Sequence, residues 1–135
     1  MKKLLLSVIL STVVLMLLSW GMLFLSIQFF PEVSAEYLSP VFRSAGSIDW
    51  MYFVHPLVLS IALKWFWERY KSIFNGNILL KGFEVALVYS VVAMIPVLWL
   101  TFSAIDISMK MVMTWMLYGF MQAFAAGIVF AKLNP

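Results

Sequence analysis

The chain is 135 residues long, 64% hydrophobic and only 11% charged, and it contains no cysteine. A soluble domain carries roughly 25% charged residues, so this chain could not cover a surface in water, and its solvent is read as a bilayer. The net charge of +3 comes from basic residues spread along the sequence, which leaves no footprint for nucleic acid. The absence of cysteine excludes disulfides, thiolate metal sites and thiol redox chemistry.

A membrane-spanning helix needs roughly 20 apolar residues. Residues 4–30 hold no charge and form the first expected crossing. The opening MKKLLLSVIL could instead begin a signal peptide, with Val33-Ser34-Ala35 as a small-residue cleavage site. The apolar run is far longer than the about 7–15 residues of such a region, so a crossing is expected. Residues 31–47 form an outer loop. The second helix, approximately 48–70, is interrupted by Lys64, whose stem can lie in lipid while its amine reaches toward the interface. Trp50 and Tyr52 at one end, with Trp65, Trp67 and Tyr70 at the other, read as two aromatic belts. Trp50 and Trp67 are separated by about 26 Å of helix, close to the hydrocarbon thickness. After an inner turn (KSIFNGN), a third crossing covers approximately 78–102, and a fourth covers 109–132.

The expected fold is therefore an all-α membrane protein, a single domain of four transmembrane helices in an antiparallel bundle. Seven of the nine basic residues (Lys2, Lys3, Lys64, Arg69, Lys71, Lys81 and Lys132) fall on one side, and Arg43 and Lys110 on the other. That asymmetry places both termini in the cytoplasm and the chain in an inner, cytoplasmic membrane. A faint echo, FRSAGSID before helix two and FSAID before helix four, raises the question of a duplicated hairpin.

On helix four, Gly119, Ala123, Gly127 and Ala131 recur every four residues, a flat ridge suited to close helix packing. Pro56 and Pro96 each remove a backbone hydrogen bond and free the carbonyls of Tyr52 and Val92. The inner turn centres near Phe74, so hairpin arithmetic sets Lys64 level with Glu84 and predicts an ion pair between helices two and three. Lys81 for Glu84 and Glu68 for Lys64 are the nearer alternatives along each helix. Asp49 and Asp106, with Ser47 and Ser108, stand where caps of inward-running helices belong. The aspartate dyad of lipoprotein signal peptidases is the sharper reading of that pair, but that family's surrounding motifs are missing.

His55, the single histidine, lies near the outer interface and on the face opposite Lys64. Gln28 and Thr114 are the polar groups at its depth, and a shared hydrogen bond is the structural expectation. Haem would need a second histidine, and zinc lacks nearby ligands, so no cofactor or metal is expected. The first helix has no acidic residue such as small multidrug exporters use, and the motifs of fluoride channels are missing. The residues point to a non-catalytic scaffold, anchor or accessory subunit acting through helix packing, not to an enzyme. Its expected partners are the lipid bilayer and either itself or another membrane protein. The alternative is a small homo-oligomeric transporter or channel using Glu84, Lys64 and His55.

Overall fold

A computed structural model describes residues 2–42 and 49–135 of the chain, and every regular element in them is helical. Helix α1 (Lys2–Phe29) is followed by a short α2 (Pro31–Glu36), then α3 (Asp49–Tyr70), α4 (Ile78–Tyr89), a π turn (Ser90–Met94), α5 (Ile95–Ala104) and α6 (Met109–Leu133). Elements α4, π turn and α5 form one continuous rod, Ile78–Ala104. Among the described residues three helices are long and apolar enough to cross a membrane: Lys2–Phe29, Ile78–Ala104 and Met109–Leu133. Helix α3 is not among them; its 22 residues include His55, Lys64, Glu68 and Arg69.

Local chemistry sets the helix ends. Asn77 accepts a hydrogen bond from the Leu80 N–H at 2.9 Å and starts α4, just after Gly76 turns the chain with φ +93°. Ser108 does the same for α6, accepting from the Met111 N–H at 3.1 Å. Pro31 opens α2, where its missing N–H costs nothing. This helix lies within the stretch expected to be an outer loop. Pro56 sits buried inside α3. At Pro96 the irregularity is the π turn just before it, where the Ile95 N–H reaches back five residues to the Ser90 carbonyl.

The interior follows membrane logic. Helix α1 buries Ser7, Ser11, Leu15 and Ser19, one small or slender residue per turn, and turns Leu17, Trp20 and Phe24 outward. The serine hydroxyls return to their own helix: Ser7 to the Lys3 carbonyl at 2.9 Å and Ser19 to the Leu15 carbonyl at 2.8 Å. Helix α6 packs against α1, α3 and α4, and α1 packs against α3. Helices α3 and α4 are consecutive in the chain, yet they share no substantial packing. Phe74, in the turn joining them, is buried and stacks on Trp67 with ring centroids 5.7 Å apart. Trp67 in turn lies against Phe130 of α6. The turn thus goes into the core, and α6 has α3 and α4 on different faces.

Candidate functional site

At Gly127 helices α4 and α6 approach backbone to backbone. A Cβ built there would stand 2.9 Å from the Gly82 Cα and 3.2 Å from the Gly82 carbonyl oxygen. A Cβ on Gly82 would meet the Phe124 carbonyl oxygen at 3.1 Å. Ala123 and Ala131 are buried along the same line, and Gly119 faces the flexible end of Met94. The four small residues of α6 thus share a buried stripe, with Gly82 opposing it at Gly127. Gly82 is missed by a reading that looks only for repeated spacing within one helix.

Lys64 and Glu84 do not pair. The Lys64 ammonium lies 2.7 Å from the Glu68 carboxylate, one turn along its own helix, and 5.1 Å from the centre of the Phe130 ring. Lys64 is buried, whereas Glu68 reaches the surface. The expected pairing fails because α3 and α4 are not neighbours: hairpin arithmetic fixes depth, not which face of a third helix each one takes. Glu84 is half-buried, and its Oε2 has no hydrogen-bond partner among the described residues.

Around Glu68 the end of α3 is tied to the end of α6. The Lys71 ammonium lies 3.9 Å from Glu68 and donates to the Asn134 side-chain oxygen at 3.4 Å and the Pro135 carbonyl at 3.1 Å. The Asn134 amide also donates to Glu68, and the Trp67 indole N–H donates to the Asn134 carbonyl at 2.8 Å. These bonds join residues more than sixty positions apart, which no local pattern signals.

At the opposite end, α2 clasps the start of α6. The Glu36 carboxylate accepts both from the Ser108 backbone N–H and from the Ser108 hydroxyl, each at 2.6 Å. Glu32, one turn earlier, meets Lys110 at 2.6 Å. The Lys110 ammonium holds the Glu32 carboxyl below the usual carboxylate value of 4.5. Val33 is buried beneath them with Leu98, Ile107 and Met111. Tyr37 accepts a hydrogen bond from the Trp115 indole, and burial pushes its hydroxyl pKa up. Ser108 is therefore the cap expected at this helix start, while Asp106 is exposed and takes no part in it. Ser47, Arg43 and the side chain of Asp49 lie outside the described residues, as does most of the FRSAGSID echo.

His55 is exposed on α3. Neither polar group expected at its depth is bonded to it: Gln28 is exposed, and Thr114 donates to the Met111 carbonyl at 2.7 Å. The buried polar cluster lies elsewhere. Gln122 donates to the Tyr118 hydroxyl at 2.8 Å and to Ser19 at 3.3 Å, which ties α6 to α1. A glutamine in the middle of an apolar span was the available sequence signal for this cluster. No group of three His, Cys, Asp or Glu side chains suited to a metal ion occurs among the described residues. Comparison with protein-family models, curated proteins and solved structures found no match to the chain.

Proposed function

We propose that this multi-pass protein crosses a bacterial-type inner membrane four times, with both termini cytoplasmic, and acts as a non-catalytic scaffold, anchor or accessory subunit through its helix faces. Helix α3 is the fourth crossing in this reading. Its ends carry exposed Trp50 and Tyr52 on one side and exposed Trp65 and Tyr70 on the other, at the spacing of a bilayer. The observation that carries the functional reading is the fate of Lys64. Its buried ammonium lies 2.7 Å from the Glu68 carboxylate and 5.1 Å from the centre of the Phe130 ring. That supports a structural ion pair over a place on a solute path, although the Lys64 Nζ makes no regular hydrogen bond. Meanwhile the continuous rod of α4, π turn and α5 touches the rest of the chain mainly through α6, leaving Leu87, Val91 and Trp99 exposed. That face suits lipid or the helix of another subunit.

A small homo-oligomeric transporter remains the second reading, favoured by one observation, the unpartnered buried oxygen of Glu84. Proteoliposomes loaded with a pH-sensitive dye separate the two. The scaffold reading expects no proton or cation leak beyond that of the Glu84→Gln variant. A wild-type leak abolished by Glu84→Gln would replace it with the transporter.

A further inference from the structure

A cavity of about 580 Å³ opens where α4 begins beside the end of α6. Asn77, Leu79 and Lys81 wall one side, and Ala131 and Pro135 the other. We propose that this cavity holds the headgroup of an anionic phospholipid, with Lys81 against the phosphate and the acyl chains along α4.

Charge complementarity carries the argument. Lys81 is the basic residue in the cavity wall, and among the described residues it has no carboxylate within ion-pair distance. Glu84, one turn further on, leaves an oxygen without a partner and still does not bond Lys81. Glu68 is already shared by Lys64 and Lys71. The cavity therefore presents an uncompensated ammonium in a concave wall, and an anion relieves it. The surroundings select a lipid over a soluble anion. Ile78 and Leu79 in the cavity wall are 42% and 60% exposed, and Leu80 next to them 46%, so the ligand that fits has a charged head and an apolar tail. The inference rests on Lys81 lying at a membrane surface, and it holds whichever side of the bilayer that surface faces. It is independent of whether the protein is a scaffold or a transporter.

The test mixes detergent-purified protein with phosphatidylglycerol or phosphatidylcholine and reads the lipid-bound fraction by native mass spectrometry. Phosphatidylglycerol should bind in preference. Lys81→Gln should weaken it about fivefold, the effect of one lysine at an anionic membrane surface. Lys81→Arg should retain binding, and so should Lys3→Gln, which alters a lysine outside the cavity wall. The lipid should also stay bound in millimolar inorganic phosphate. Equal binding of the two lipids by the wild-type protein would overturn the proposal. So would equal losses in Lys81→Gln and Lys3→Gln, or displacement by phosphate, which would mark a free-anion site.

Discussion

Gly127 of α6 and Gly82 of α4 meet backbone to backbone, with room for no Cβ between them. This contact gives a graded prediction. At Gly127 an added methyl meets backbone 2.9 Å away, which cannot move cheaply. At Gly119 it meets the end of Met94, a flexible side chain, and at Gly21 it meets nothing within 4 Å. Thermal unfolding in detergent should therefore rank Gly127→Ala as most destabilising, Gly119→Ala as milder and Gly21→Ala as near neutral. The Gly127 loss should be about 1–3 kcal/mol, larger still for Gly127→Leu. Equal effects at all three positions would show that the ridge does not set the α4–α6 distance. Gly76→Ala belongs with the damaging changes, because Gly76 has φ +93° and its Cβ would meet Leu80.

The Lys64–Glu68 pair predicts that half a pair is worse than none. Glu68→Gln leaves a buried ammonium without its anion and should cost about 1–3 kcal/mol. Adding Lys64→Met should recover much of that loss, since an apolar chain suits the site against Phe130. Glu84→Gln alone should be neutral or mildly stabilising, because it removes a charge whose oxygen has no partner. If Glu84→Gln destabilised as much as Glu68→Gln, the assignment of Lys64 to Glu68 would be wrong.

Glu36 and Ser108 should behave as one unit. Glu36→Ala or Ser108→Ala should each cost about 1–2 kcal/mol of cap energy, and the double variant little more than one of them. Glu32 adds a pH dependence of known sign. Its folded value is lowered by Lys110, so its contribution is complete above the ordinary value of 4.5 and disappears as pH falls through the lowered one. The stability difference between wild type and Glu32→Gln should vanish in acid and shrink with salt, because the pair is exposed. A difference that grew in acid would contradict the pairing.

Much of the helix layout was legible because apolar length and capping chemistry are local. Residues 4–30 and the run after Asn77 needed only composition, and the Ser108 cap needed only its place before Met111. The four-residue spacing of Gly119, Ala123, Gly127 and Ala131 could be read the same way. Which helix opposes that ridge could not, because Gly82 is an isolated glycine in its own helix. The same limit misled the pairing of Lys64. Depth follows from counting residues out from Phe74, but neighbourhood depends on Phe74 stacking on Trp67 and on α6 lying between. His55 was expected to find a partner, yet its face of α3 is exposed; rotation about a helix axis is poorly fixed when nearly every residue is apolar. Glu36 reaching Ser108, seventy-two positions away, has no local signature at all.

The orientation is tested by single cysteines, which the chain otherwise lacks. Ser39→Cys should react with a membrane-impermeant maleimide on intact cells, and Ser72→Cys only after the cells are opened. The reverse pattern would invert the assignment.

In the proposed function the chain packs against another membrane protein and does not move a solute. Native mass spectrometry of the complex, extracted from membranes at natural expression level, tests it most directly. A defined hetero-complex is expected, whose stoichiometry survives Glu84→Gln and is lost when the exposed face of α4 and α5 is altered by Leu87→Ala with Trp99→Ala. A homo-oligomer with no second protein, unchanged by those two substitutions, would contradict it.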